Sequence, residues 1–260
     1  MHAWITARWL LPFATILTPS LAGTPDFPSN SWSGYVAIGV LRATDTLTAG
    51  MLPEPTTSPW IDVRLERGRF FAATRRGIGY DLVKSEQLTV AAGAGFLPGR
   101  QEKDDPRLKG MGNVPVSPAM VASLDWHPLG DFLHAYISLA SSVRHDRGSL
   151  LTAGTTMGFP VHGHLNGFLD VSTQLADRTF VGDFYGVTAS QALRSGYREF
   201  HPKGGRLNDS VALGLVHPWS AHGSISGQIG RTWLRGEPLA SPVMPRASYM
   251  NGSVAVRYSF

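Results

Sequence analysis

The 260-residue chain contains no cysteine. That excludes a disulfide framework, thiolate chemistry and the acylated cysteine of a bacterial lipoprotein. Charge is scarce too: Asp, Glu, Lys and Arg make up 16% of residues, where a soluble domain carries about a quarter. The net charge of +4 comes with no long basic run, Arg75-Arg76 being the densest pair. Nucleic-acid binding, which needs a clustered basic face, is therefore not indicated. Long apolar runs are missing as well. No mature segment approaches the roughly 18 consecutive apolar residues of a membrane-spanning helix, which excludes a helical inner-membrane protein. What is plentiful is glycine (29) and aromatic side chains (10%), within an evenly spread hydrophobic fraction of 43%. Such a chain is not disordered overall, and its exterior need not face water.

Residues Met1 to Ala22 read as a secretory signal. Arg8 supplies the positive charge, Trp9 to Leu17 the apolar core, and Ser20-Leu21-Ala22 the small residues before a cut. The apolar core is too short to persist as a spanning helix. The expected division is a signal peptide over 1–22, a short lead over 23–30 and one domain over 31–260.

The rest of the chain alternates. From Met250 to Phe260 the even positions are Met250, Gly252, Val254, Val256, Tyr258 and Phe260, while Asn251, Ser253, Ala255, Arg257 and Ser259 lie between them. Period two over this length is a strand with an apolar and a polar face. The same scheme sets Trp219, Ala221, Ile225, Ile229 and Trp233 against Ser220, His222, Ser224, Ser226, Gln228 and Thr232. It sets Leu165, Leu169, Val171 and Leu175 against His164, Asn166, Asp170, Ser172 and Gln174, and Ile61, Val63 and Leu65 against Asp62, Arg64 and Glu66. Leu133–Leu139 behaves likewise. Further strands are expected at 32–40, 88–96, 119–127, 150–159 and 207–217. The polar faces carry Ser, Thr, Asn, Gln, Gly and His with isolated charges, not the Lys and Glu of a water-facing sandwich. They suit a barrel interior, with the apolar faces turned to lipid. An open edge in hydrocarbon costs several kcal/mol per unpaired group, so the sheet must close.

Connections alternate between short (near Pro128-Leu129-Gly130, Pro160–Gly163 and Pro218) and long (Leu41–Pro59, Leu97–Ser117, Ala176–Arg206 and Arg235–Ala247). Outer-membrane barrels have short periplasmic turns and long external loops. Counting back from a periplasmic C-terminus gives about twelve strands if Arg69–Val83 turns near Arg75-Arg76-Gly77, and ten is the other possibility. The fold class is thus all-β: an antiparallel transmembrane β-barrel of a Gram-negative outer membrane.

A set of landmarks resembles the MltA-interacting protein (MipA/OmpV) family of outer-membrane proteins. They are Gly68-Arg69-Phe70-Phe71; Arg76-Gly77-Ile78-Gly79-Tyr80-Asp81-Leu82; Gly99-Arg100; Asp105 to Leu108 with Gly110; Tyr185-Gly186-Val187-Thr188 leading to Ala192-Leu193-Arg194-Ser195-Gly196-Tyr197; Leu234 before Ala240-Ser241-Pro242-Val243; and Val256 to Phe260. The Tyr-Gly-Val-Thr to Arg-Ser-Gly stretch is the most specific. The chain departs from the pattern at Ala240, where family members often carry an acidic residue. The resemblance spans most of 30–260 and implies a scaffold of the cell envelope. It implies as partners a lytic transglycosylase and a murein polymerase, beside the surrounding outer-membrane lipid and a barrel-assembly machinery that takes up the C-terminal strand ending at Phe260. Other members are linked to adhesion and stress responses.

Catalytic and metal signatures are weak. Ser224, Ser226 and His222 share a strand face, but no Gly-x-Ser-x-Gly elbow is present. His162 and His164 with Asp170 on one face read as lumen residues, since zinc needs a third ligand at suitable spacing. Glu102, Asp104 and Asp105 lack the spacing of a calcium loop and read as a solvated acidic turn. Asp62, Arg64, Glu66, Asp125, Asp170 and Arg257 are expected to pair inside the barrel, because buried charges need partners. No cofactor is implied. A scaffold is the leading reading; a passive small-solute channel is the alternative, with an adhesin or a lipid-modifying barrel built around His222 or His164 behind it.

Overall fold

The computed structural model describes residues 31–44, 56–244 and 246–260. The expected signal peptide and the 23–30 lead fall outside the described residues. Twelve strands form one closed barrel in chain order: β1 (Ser33–Thr44), β2 (Thr56–Arg67), β3 (Phe70–Ala73), β4 (Gly77–Lys84), β5 (Leu88–Leu97), β6 (Ser117–Trp126), β7 (Leu133–Ser142), β8 (Ser149–His162), β9 (Leu165–Ala176), β10 (Gly205–Pro218), β11 (Gly223–Leu234) and β12 (Ser248–Ser259). All neighbours are antiparallel, and β12 closes on β1 from Thr44↔Met250 to Tyr35↔Ser259. Gly34 and Phe260 finish the seam by exchanging backbone hydrogen bonds of 2.9 and 3.0 Å. Pairing of β12 with β1 leaves neither of these strands with a free edge toward hydrocarbon.

The period-two patterns land on the expected faces. Along the seam Ile38, Val40, Val254 and Val256 are exposed on the outside, while Ala37, Leu41, Ala255 and Ser253 are buried inside. No helix of the described residues is long and apolar enough to cross a membrane; the barrel crosses with strands. Strands of ten to fourteen residues, such as β8 and β12, match the roughly 9–11 tilted residues that a bilayer requires.

The stretch Arg69–Val83 is two strands, not one. Their hairpin is short. Thr74, just past β3, donates to the Val63 carbonyl at 2.9 Å, so the hairpin tip reaches only halfway up β2. Among the described residues, β2 above Val63 pairs only with β1. The Val63–Thr74 bonds show that odd-numbered residues of β2 direct their backbone groups to this open side. Pro59 sits there, where a residue without an N–H leaves no donor stranded.

Two expectations need correction. Trp219, Ala221 and His222 do not extend the faces of β11, which starts at Gly223; they form the β10–β11 turn. His162 ends β8 and His164 lies in the two-residue turn after it, both exposed, whereas Asp170 is buried on β9. Gly163, between the two histidines, has φ 55, the left-handed conformation that tight hairpin turns demand. The turn therefore breaks the face those residues were expected to share.

The inner wall is less polar than its sequence suggests. Trp60, Phe71, Tyr136 and Phe168 all point inward and are buried. Each lies directly across from a glycine on the next strand: Gly39↔Trp60, Phe71↔Gly79, Tyr136↔Gly154 and Gly214↔Phe168. A Cβ on any of these glycines would lie 2.3–2.7 Å from the ring or hydroxyl of its partner. Each ring thus occupies the space its cross-strand glycine leaves, a pairing that keeps bulky groups inside a narrow barrel.

Candidate functional site: the external cap and the lumen network

Three of the long connections fold together over one mouth of the barrel. The β5–β6 connection contributes two single helical turns, Glu102–Asp104 and Pro106–Leu108. The β9–β10 connection contributes α1 (Arg178–Tyr185) and α2 (Ala189–Ser195). The β11–β12 connection adds a turn at Glu237–Ala240. Local sequence starts each helix: the Asp177 side chain accepts from the Phe180 N–H, and Thr188 with Gln191 forms a capping box. Gly196, at φ 79, ends α2 in the left-handed conformation.

Two apolar clusters hold the cap. Leu108, Met111, Val187 and Val243 are buried together, with Ala192, Tyr197 and Phe200 packed around them. Phe180, Val181, Phe184 and Tyr185 of α1 sit on Leu97, Leu150, Ala176 and Leu207 at the barrel rim. Burying a large apolar side chain is worth about 1.5–3 kcal/mol each, which outweighs the modest propensity of two short helices.

Polar ties then fix the register of the loops. Ser241 Oγ donates to the Tyr185 carbonyl at 2.6 Å, Gln191 Nε2 to the Met111 carbonyl at 2.6 Å, and Arg194 Nε to the Gly110 carbonyl at 3.2 Å. Arg100, 1% exposed, donates from Nη1 to the Phe184 carbonyl at 2.9 Å. Burial lowers its pKa, opposed by the charges of Asp183, Asp104 and Glu102. Arg147 bridges α1 and the β5–β6 connection, pairing with Asp183 at 3.0 Å and donating to the Pro115 carbonyl at 2.6 Å. Burial raises the Asp183 pKa even beside that arginine. Burial also pushes the Tyr185 phenol well above its ordinary range, so it is neutral throughout the accessible pH range.

The acidic turn is a fastener. Glu102 accepts from the N–H groups of Gly110 and Gly112, both at 2.8 Å, and these bonds hold its carboxyl below the usual range. Asp105 is buried, not solvated, and caps the next turn through the Arg107 N–H at 2.7 Å. Among the described residues no group of His, Asp and Glu is arranged to hold a metal ion.

Inside the barrel Asp62, Arg64, Glu66 and Asp125 form ion pairs as expected, Arg64 with Glu66 and the others with Arg75, Arg76 and Lys84, whereas Asp170 is held by hydroxyls and Arg257 by an aromatic ring. Asp62 accepts from the Tyr35 hydroxyl at 3.2 Å and pairs with Arg75 at 3.3 Å. Asp125 pairs with Arg76 at 3.0 Å and contacts His134 Nε2 at 3.2 Å. Glu66 binds Arg64 and, at 3.0 Å, Lys84, which also reaches Asp81 at 3.4 Å. Asp170 is satisfied by hydroxyls, Thr156 at 2.9 Å and Tyr136 at 3.3 Å. Arg257 stacks 3.8 Å from the Tyr35 ring centroid. Arg75 and Arg76 can enter this network because the short β3–β4 hairpin places its tip at the level of the lumen.

The motif residues separate into three places. Tyr185, Gly186, Val187, Ser195, Gly196, Ser241 and Pro242 meet in the cap together with Arg100 and Gly110. Gly68, Arg69, Phe70, Phe71, Gly77, Gly79 and Tyr80 build the short hairpin, where Phe70 and Tyr80 pack edge to face at 4.9 Å on the outer surface. Phe260 closes the seam. Serine and histidine do not assemble here: His222 Nδ1 contacts the Ser259 carbonyl at 2.9 Å in the turn, ahead of the strand that carries Ser224 and Ser226.

Solved structures similar to the chain include LpxR from Salmonella typhimurium, with 11% identity over 85% of this chain and 99% of that one and a TM-score of 0.48. The in-vitro folded outer-membrane protein OmpT of Vibrio cholerae gives 8%, 92%, 100% and 0.39. The Pseudomonas putida toluene transporter TodX gives 10%, 93%, 91% and 0.37. No curated protein matches the chain. The family model described as MltA-interacting protein MipA matches residues 38–260, which takes in β2 to β12, the whole cap and most of β1. This outer-membrane barrel belongs to the MltA-interacting protein MipA family.

Proposed function

We propose that the protein is a structural barrel of the cell envelope that docks murein-remodelling enzymes at its periplasmic end and conducts no solute. The observation that carries this reading is the burial of the inner wall: Asp170 is 0%, Phe168 1%, Thr232 1% and Ser253 7% exposed. A water-filled lumen would wet these side chains. The cap further covers the external mouth. Murein lies on the other side, where only short turns are available, and Leu129, Phe132 and Trp219 are exposed there. In this reading a lytic transglycosylase and a murein polymerase are the partners, and the barrel supplies position, not catalysis. β12, with its terminal Phe260 on the lipid face, is the segment that the barrel-assembly machinery takes up.

A photo-crosslinking residue at Leu129 in living cells is expected to capture a murein enzyme, whereas one at Leu193, 90% exposed on the cap, captures none. Absence of any envelope protein from the Leu129 crosslinks overturns the docking reading. One observation favours the alternative, a small-solute channel: the wall above the β3–β4 hairpin is short. Planar bilayers separate the two, because a scaffold is silent and a channel shows steady conductance.

A further inference from the structure

The outward row of β10 reads Asp209, Val211, Leu213 and Leu215, and its last two members are exposed apolar residues facing lipid. A carboxylate on the lipid side of a barrel is costly unless it lies near the interface and is paired. Asp209 meets both conditions. It lies close to the loop-bearing end of the strand, and it pairs with Arg206 and Arg235, each at 2.6 Å, while Thr173 Oγ1 donates to it at 2.9 Å.

The presence of Arg206 on this surface is not a consequence of alternation. Even-numbered residues of β10 turn inward, as Asn208 does. A register shift between Arg206 and Asn208, opposite Leu175 and Gln174 of β9, inserts the buried Leu207 and reverses the parity. A bulge of this kind re-aims a side chain, and here it adds a guanidinium to the outer wall. The second arginine of the cluster, Arg235, follows directly on β11. Arg231 of β11 turns the other way, toward β12, donating to Ser248 Oγ at 3.0 Å and lying 5.4 Å from the Trp233 ring centroid. Two arginines against one aspartate leave a local charge of +1 (2 − 1) on a lipid-facing surface.

Beneath them runs a groove of about 360 Å³, its charged edge formed by Arg206, Asp209 and Arg235 and its floor including Ala153, Val171 and Val211. The arginine side chains remain about half exposed, at 57% and 45%. Asp209 occupies Nε and one Nη of Arg206 and Nε of Arg235. A guanidinium has five N–H donors in a planar fork suited to phosphate oxygens. Asp209 therefore orients both forks without exhausting them.

We propose that this groove binds a phosphorylated lipid of the outer leaflet, with phosphate at Arg206 and Arg235 and an acyl chain along Val171 and Val211. A soluble phosphate would make no use of the apolar floor, and a neutral lipid would make none of the arginines. The position fits as well. The groove lies on the lipid side at the end that bears the long external loops, the level of outer-leaflet headgroups.

The test uses the purified full chain in non-ionic detergent and native mass spectrometry. The probes are diphosphoryl lipid A, its dephosphorylated form and inorganic phosphate. Diphosphoryl lipid A is expected to be retained, and the triple variant Arg206→Gln/Asp209→Asn/Arg235→Gln, which leaves no charge unpaired, to bind it about tenfold more weakly. That variant should keep its heat-modifiable gel migration, which separates loss of binding from loss of folding. If migration is lost, Arg235→Gln alone must weaken binding for the proposal to stand. Equal retention of the dephosphorylated lipid, equal binding by the variants, or saturation by inorganic phosphate at the same concentrations overturns it.

Discussion

The hydroxyl of Ser241 donates to the carbonyl of Tyr185 across 2.6 Å, joining connections whose residues lie 56 positions apart. Ser241 is 4% exposed, so water does not replace the donor once it is removed. Ser241→Ala is expected to cost about 1–3 kcal/mol, the penalty for a stranded buried acceptor. The loss should be confined to the cap. External protease on intact cells should cleave the 177–204 connection faster, while barrel migration on gels stays unchanged. Equal protection of parent and variant would show that the apolar clusters alone hold the cap.

A Cβ on Gly214 would stand 2.3 Å from the Phe168 ring. Gly214→Ala is therefore expected to destabilise the barrel by about 1–3 kcal/mol through overpacking. Combining it with Phe168→Leu should recover part of that loss, because the collision is with the ring itself. A double-mutant cycle on urea unfolding in micelles measures the coupling. Additive effects would mean that ring and glycine are independent.

Arg76 and Asp125 are mostly buried, with 17% and 23% of their side chains exposed. Asp125→Ala leaves Arg76 and His134 without their carboxylate and is expected to cost about 3 kcal/mol, the low end for breaking a buried pair because some exposure remains. Replacing both charges, as Arg76→Met/Asp125→Leu, should be milder than the single change. The transition temperature of gel migration reports the order, and the reverse order rejects the pairing argument.

His127, in the β6–β7 turn, stacks on His134 with centroids 4.3 Å apart. Burial first and the charge of His134 second lower its pKa below 6.5, opposed by Asp125 and Asp131. The unfolded chain therefore protonates this imidazole at higher pH than the folded barrel does. Its effect on stability is absent well above pH 6.5 and grows as pH falls through that value, levelling off below the folded pKa. His127→Gln should flatten the fall in stability between about pH 7 and pH 5. Unfolding midpoints across that range check the slope; an unchanged slope assigns the titration to another group.

How much of this was legible beforehand depends on distance along the chain. The faces of β12 were readable because alternation is a property of neighbouring residues. The hairpin at Arg69–Val83 was readable only as two alternatives, since four residues of β3 are too few to show a period. His162 and His164 were misplaced on a common face because a turn at Gly163 interrupts a pattern that otherwise continues. The polar lumen was overstated because one apolar residue, Phe168, interrupts the polar row of β9 without cancelling it; its fit is visible only beside Gly214, 46 positions later. The motif residues of the cap were recognisable as a set, but Arg100 and Phe184 touch across 84 positions, which no local signal reports.

Composition and period two by themselves determined that this chain is a lipid-facing barrel entering a membrane with strands: few charges, no long apolar run, and side chains that must leave a strand on opposite faces. Only the tertiary structure decided which ring fills which glycine's space, how Arg75 and Arg76 enter the lumen, and why Arg206 faces outward. Those outcomes depend on register, on one bulge and on one hairpin's length. Such features arise when distant segments pair, and a shift of a single residue would exchange inside for outside.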